Sequence, residues 1–502
     1  MNRSIKRDAV ASYSNLFITI IIALILVPIV ESHVGKNYYG IYQFIVSLTI
    51  YSQLMSIGLG KTIERYVAKY AEERKENLEG AIISIVLSIY IVTSAVFFLG
   101  MIIVYWQFGN MFAFTGTELE VARVAFIIAT LNAGLNIPTS LFQSHLRGRG
   151  RFFLLFNVGT VKIILKLFVV IAVLRAGYGI IAVFAIELVM LQTVNVIFAA
   201  ISIIRYKVKI QLFHFDKVLF KKLFKYTTFV FLSGVAHTLY WNTDNIILGV
   251  FTNAEVIAEY ALSQRLIDYF YRYGVAFSGL FMPKFMEYYM IKDLRESNWQ
   301  MTELFTQSSR VLGILMSFAV VNFIVLGKDF VELWIGPQFH MTYVYTLVIL
   351  IPYWLILAQY TGTELLYAMK KHKIVTWIYL GSAVINIFAT VYLVNRIGPI
   401  GAALSTGVTL FIGSFIMTSL YFRFLLKMDL LAFMKEVYLR NALVSIIALL
   451  YGFILNHLIT EISWLYLIGK GMLMNLVFVP LIFFLLLKKE EREKIIHKIG
   501  IS

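Results

Sequence analysis

Cysteine does not occur in the 502 residues. Its absence removes disulfide frameworks, thiolate metal sites and cysteine nucleophiles together, and leaves the redox compartment open. Charge is scarce too: Asp, Glu, Lys and Arg make up 14% of the chain, against about a quarter in soluble domains. Hydrophobic residues reach 60%, well above the roughly 45–50% that a water-soluble core absorbs. The eight histidines are scattered and form no HExxH pair, so neither a metal site nor a cofactor is expected. Acids are outnumbered by bases, 28 to 44, for a net charge of +16. Those bases lie in short clusters between apolar runs rather than along one polar face, which argues for helix orientation in a membrane and against nucleic acid as a partner.

What is present is a series of long apolar runs. They recur from Leu16 to Leu487, each of about twenty residues, enough at ~1.5 Å per residue to cross a hydrocarbon layer of about 30 Å. The expected fold class is an all-α membrane protein of fourteen transmembrane helices: 11–30, 38–60, 81–104, 119–142, 152–174, 180–204, 226–248, 254–282, 306–327, 340–366, 374–394, 399–422, 440–458 and 464–487. Met1 to Asp8 carries Arg3, Lys6 and Arg7 and could open a signal peptide. The run that follows is too long and lacks a small-residue cleavage site, so it reads as a retained first helix. In alternate connections, the side holding the N-terminus has 34 Lys and Arg, and the other side has four: Lys36, Arg175, Lys328 and Arg396. Short cytoplasmic loops retain positive charge, so both termini are expected in the cytoplasm. Phe215 to Lys225 and Met428 to Lys435 each place an Asp before mixed basic and apolar residues, as in helices lying at the interface. Glu64 to Glu79 mixes both charge signs and reads as an extension of the second helix.

The chain resembles itself at a shift of about 220 residues, a spacing that duplicated transporter bundles show. Tyr39-Gly40-Ile41-Tyr42 aligns with Ile257-Ala258-Glu259-Tyr260, and Arg175 to Ala182 aligns with Arg396 to Ala403. The expected organisation is two pseudo-symmetric six-helix lobes, residues 1–204 and 226–422, joined by an amphipathic cytoplasmic connector, 205–225. Residues 423–502 add two helices and a basic tail. Six is even, so both lobes enter from the same side and the pseudo-two-fold axis follows the membrane normal. A substrate path would lie between the lobes.

At Gly58-Leu59-Gly60 with Arg65-Tyr66-Val67-Ala68, and at Leu146-Arg147-Gly148-Arg149-Gly150-Arg151-Phe152, the chain resembles the polysaccharide biosynthesis, or oligosaccharide (O-antigen type) flippase, family. Asp244 to Gly249 and Leu333-Trp334-Ile335-Gly336 carry the same resemblance. Multidrug and toxic-compound extruders and lipid II flippases belong to the same superfamily. The resemblance implies a non-enzymatic protein of the bacterial cytoplasmic membrane. It would work by alternating access, carrying an undecaprenyl-pyrophosphate-linked oligosaccharide to the outer leaflet for cell-surface polysaccharide synthesis. Implied partners are the lipid-linked oligosaccharide, membrane lipids and the polysaccharide polymerase machinery.

Ionisable groups at bilayer depth cost a few kcal/mol each, so they face a partner or a cavity. Lys162 and Lys166 lie one turn apart in the fifth helix, and Glu187 enters the sixth at the depth of Lys166. On the eighth helix Arg265, Asp268, Tyr269 and Arg272 fall on one stripe. Four cations against the two acids Glu187 and Asp268 suit an anion, and guanidinium forks and ammonium groups hold phosphate oxygens well where water is scarce. Lys162, Lys166, Arg265, Asp268 and Arg272 are therefore expected substrate-binding residues, together with Arg65, which with Arg272 would fringe an inward-facing funnel. Glu187 and Asp244 are candidates for coupling to a proton or cation. Pro28 and Pro138 interrupt helices and are candidate hinges. Tyr38, Tyr39, Trp106, Trp334 and Tyr353 fall near the outer interface, where aromatic belts form. A cation- or proton-coupled exporter of small molecules is the main alternative. A membrane oligosaccharide polymerase would need acids or His on a large outer loop, and the outer loops here are short.

Overall fold

A computed structural model describes the backbone of residues 3–212 and 217–499; the side chains at 3–6, 9, 13, 57, 217–230, 494, 495, 498 and 499 lie outside the description. The side chains of the expected amphipathic connector from 217 to 225 therefore fall outside it. The described residues are mostly helical and form no β-strand. They divide into two compact units, Met1–Ala261 and Leu262–Ser502. That division follows spatial packing, whereas the repeat-based boundaries at 204 and 225 follow sequence similarity.

The first unit begins with α1 (Arg3–Thr49), which continues through a 3-10 stretch, Ile50–Met55, into α2 (Ile57–Glu72). Then come α3 (Glu76–Met111), α4 (Gly116–Gly148), α5 (Phe152–Arg175), α6 (Ile180–Ala200) with a π-helical end at Ile201–Arg205, and α7 (Lys217–Phe251). Helix α8 (Ala254–Ser278) contains the division between the units. The second unit continues with the short α9 (Met282–Tyr289), then α10 (Leu294–Ile335), α11 (His340–Ala358), α12 (Thr361–Ala368) and α13 (His372–Ile397). Helices α14 (Ile400–Thr409) and α15 (Thr418–Leu426) join through a π-helical segment, Leu410–Met417. Helices α16 (Leu430–Met434) and α17 (Arg440–Leu458) join in the same way through Lys435–Leu439, and α18 (Trp464–Leu481) and α19 (Lys489–Ile499) end the unit.

Among the described residues eleven helices are long and apolar enough to cross a membrane, fewer than the fourteen expected, for identifiable reasons. The first two expected spans run together from Val10 to Met55. Their break survives only at Gly35, whose φ of 82° and ψ of 160° are open to glycine and costly for any side chain. Helix α7 starts in residues whose side chains are not described. Helix α8 carries Glu255, Glu259, Arg265, Asp268 and Arg272, which interrupt its apolar character. Glu64 to Glu79 is not one continuous extension of the second helix: α2 stops at Glu72, and a turn with Arg74 at φ 54° separates it from α3.

Buried side chains hold each unit together from within. In the first, Ile63 and Val67 of α2 pack with Ile82, Ile83 and Val86 of α3 and Ile137 and Leu141 of α4. Phe44, Phe108, Phe112 and Phe114 form a second knot through edge-on and stacked ring contacts. In the second unit Ile314, Val321 and Val325 of α10 meet Val444 and Ala448 of α17 and Met474 and Phe478 of α18. The last two membrane helices thus share a core with α10. The outward faces stay apolar: Phe168 is 64%, Leu476 70% and Phe424 84% exposed. Such surface requires a hydrocarbon surrounding.

Candidate functional site

In the first unit α5 and α6 lie side by side, and this pairing brings the expected charges together. Lys162 Nζ is 3.0 Å from Glu187 Oε1, and Lys166 Nζ is 2.5 Å from Oε2 of the same carboxylate. All three side chains are partly buried. The i, i+4 spacing of the lysines allows this, because both ammonium groups then project from one face of α5. A carboxylate has two oxygens, and each receives one cation. These three groups carry a formal charge of +1, held within helices whose other faces are apolar.

Asp244 of α7 is fully buried and accepts a hydrogen bond of 2.6 Å from the Tyr260 hydroxyl of α8. One helical position earlier, Thr243 shares a 2.7 Å hydrogen bond with Tyr51. Nearby, Lys36 binds Glu259 at 3.0 Å and Glu255 at 3.7 Å. Sequence reading places Lys36 in an outer connection and gives no partner for it, because the acids are more than two hundred residues away. Arg65 lies on the exposed face of α2, apart from the α5–α6 triad. Pro28 and Pro138 sit inside α1 and α4, and both helices continue through them.

In the second unit the stripe on α8 is present as spaced. Arg272 Nε donates to Asp268 Oδ2 at 2.7 Å, and both side chains are about half exposed. Arg265 and Tyr269 are partly buried on the same face, while Ser263, Leu266 and Ile267 are buried on the other. The charged face of α8 is therefore the more accessible one. Beside it, Tyr271 and Tyr360 hydroxyls meet at 3.1 Å.

Two ionic clusters of this unit go unnoticed in the sequence reading. Lys470, in the middle of α18 and 3% exposed, binds Asp329 of α10 at 2.7 Å; its depth in an apolar run is the signal that could have flagged it. Arg310, also 3% exposed, joins the Leu486 carbonyl, Glu436 and Glu491. Among the described residues no group of three or more His, Asp or Glu side chains could hold a metal ion.

The described residues define a many-pass helical membrane protein with paired charges inside its apolar helices, and its relatives place it among membrane transporters. The chain is a member of the polysaccharide biosynthesis protein family, which matches residues 5–283. It is 23% identical over 423 residues to a Shigella flexneri protein described as "Putative O-antigen transporter", covering 82% of this chain and 96% of that one. Among solved structures it superposes on the lipid II flippase MurJ in an inward closed conformation, with a TM-score of 0.69, 16% identity and coverage of 95% and 98% of the two chains. An inward-facing multidrug resistance MATE family transporter of the MOP superfamily follows at a TM-score of 0.61 and 12% identity, covering 81% of this chain and 98% of that chain. At such identities the structures show a shared fold. These relatives are transporters and flippases, not enzymes.

Proposed function

We propose that the protein is a flippase of the bacterial cytoplasmic membrane that moves a lipid-linked oligosaccharide, on an undecaprenyl-pyrophosphate carrier, from the cytoplasmic to the outer leaflet by alternating access. The observation that carries this reading is the family match over residues 5–283, and the O-antigen transport ascribed to the Shigella flexneri relative supports it. The intramembrane cations fit the cargo. Lys162, Lys166, Arg265 and Arg272 offer ammonium and guanidinium groups to a pyrophosphate, with Asp268 orienting Arg272 and Arg65 fringing the cytoplasmic entrance. A proton taken up by Glu187 would loosen its hold on Lys162 and Lys166 and let them turn to a phosphate; Asp244, buried under Tyr260, is the second coupling candidate. Pro28 and Pro138 are the proposed hinges, and the polysaccharide polymerase machinery is the proposed downstream partner.

The test is depletion of the protein followed by lipid extraction. Accumulation of one prenyl-pyrophosphate oligosaccharide on the cytoplasmic leaflet is the expected result, and it would name the sugar. An unchanged pool of lipid-linked sugars would overturn the reading in favour of a soluble cargo.

A further inference from the structure

Between α6 and α7 the chain does not hang free. Residues 206–211 leave the helix through a turn, with Lys207 at φ 50°, and run along the cytoplasmic ends of α3 and α4 as a strap. Exposure alternates along it: Val208 is 8% exposed, and Tyr206 and Ile210 pack on the core of α2, α3 and α4. Arg205, Lys207, Lys209 and Gln211 face outward. The Gln211 amide donates to Ser84 Oγ at 2.9 Å. The Lys209 carbonyl sits over Gly80, where a Cβ would come within 2.9 Å of it, so the close approach depends on that glycine.

A buried cluster fixes the near end of the strap. Glu79, 1% exposed, accepts from His145 Nε2 at 2.7 Å and from Arg149 Nε at 2.8 Å, and binds Arg149 a second time through its other oxygen. The second ring nitrogen of His145 bonds Ser202 Oγ at 2.9 Å. The Tyr206 ring stands edge-on to His145 at 5.6 Å and lies under the Arg149 guanidinium at 4.9 Å, and its hydroxyl accepts from Arg151. Glu79, His145 and Arg149 are satisfied by one another and by this tyrosine, so the cluster reads as an anchor.

The anchor holds a row of cations still. Arg205, Lys207 and Lys209 stand two residues apart in sequence, all three on the exposed side of the chain. The ion pairs at this end of the unit use Lys61, Lys69, Lys75, Arg147 and Arg149, and among the described residues no carboxylate pairs with the three cations of the row. Immediately before the row, Ile203 and Ile204 are 44% and 76% exposed, so apolar surface gives way to cationic surface over one turn, as at an acyl–headgroup boundary. Setting helix orientation needs only the right number of positive charges on one side. It does not require them to be fixed on a docked strap.

We propose that this row is a docking site for anionic phospholipid headgroups of the cytoplasmic leaflet, with Arg205, Lys207 and Lys209 binding lipid phosphodiesters. The test uses the full chain in neutral detergent, titrated with phosphatidylglycerol or phosphatidylcholine and read by native mass spectrometry. Wild type retains phosphatidylglycerol preferentially. The triple variant R205Q/K207Q/K209Q weakens that binding about tenfold or more, although four of the seven Lys and Arg residues in 205–225 remain to keep the orientation. K217Q/K221Q/K222Q removes as many charges from the same connection and weakens binding clearly less. E79Q, checked for monodispersity, loosens the anchor with all three cations intact and weakens binding as well. Equal loss from the two triple variants would reduce the site to net charge and overturn the proposal. Unchanged binding in R205Q/K207Q/K209Q would overturn it, and so would inorganic pyrophosphate alone displacing the lipid from the row.

Discussion

At the scale of single residues, charge inside this protein is tolerated because it is paired, and the pairing has a measurable consequence. Lys470 and Asp329 meet at 2.7 Å with 3% and 14% of their side chains exposed. Removing one partner of such a pair strands the other where water is absent, at a cost of about 3–5 kcal/mol, whereas replacing both by apolar residues of similar size is often neutral. Asp329→Ala is therefore expected to lower the unfolding midpoint in detergent sharply, and Asp329→Leu with Lys470→Met to restore it. If the double variant were as unstable as the single, hydrogen bonding or packing specific to the pair would be carrying the effect. The Glu187 triad differs in kind. Its carboxylate serves two lysines, so removing the acid leaves two cations to be accommodated, and substitution there disturbs function and stability together.

At the scale of elements, the C-terminal helix α19 is tied to α10 and to the segment before α17 through one arginine. Arg310 reaches Glu491 and the Leu486 carbonyl, with Glu436 at 3.6 Å, and Lys488 adds a 3.2 Å pair to Glu436. Partial burial alone would raise the Glu491 carboxyl. The Arg310 guanidinium and the Lys488 amide outweigh it and hold the group below its ordinary value. A carboxyl depressed on folding contributes stability above its unfolded value, and that contribution is lost as pH falls through the lower folded value. Docking of α19 should thus be insensitive to pH near neutrality and weaken under acid, below the ordinary glutamate value of 4.5. Limited proteolysis of the C-terminal helix across that range would show it, and Glu491→Gln should abolish the pH step. Sequence alone exposes little of this latch, because Arg310, Glu436 and Glu491 lie far apart in the chain and meet only when α10, α17 and α19 pack. The stripe on α8 was legible because spacings of three and four on one helix fix a common face without any tertiary information. The two-lysine contact to Glu187 was half legible: the shared face of Lys162 and Lys166 follows from spacing, but capture of both by one acid follows only from α5 lying against α6. The Glu79–His145–Arg149 anchor was not legible at all, since its members sit 66 and 70 residues apart in segments whose packing the sequence does not reveal.

At the scale of the whole molecule, the apolar runs announce a membrane protein because no other solvent suits their outward faces. Their number is harder to read where a span is charged, as in α8, or where two spans run on as one helix, as at Gly35. Orientation rests on a different quantity, the 34 to four division of Lys and Arg between alternate connections, and the lack of cysteine makes it directly measurable. In that background a single introduced cysteine is the only thiol a membrane-impermeant maleimide can find. Tyr178→Cys and Glu461→Cys, at exposed positions in connections poor in basic residues, should label in intact cells. Glu73→Cys and Lys371→Cys, exposed in connections rich in them, should label only after the membrane is opened. Because α2 to α19 alternate sides through every span, one misassigned helix would invert all labelling after it. Agreement at Tyr178 but reversal at Glu461 would therefore place an error between α6 and α18, whereas reversal at all four positions would put both ends of the chain outside and remove the basis for a cargo loaded from the cytoplasm.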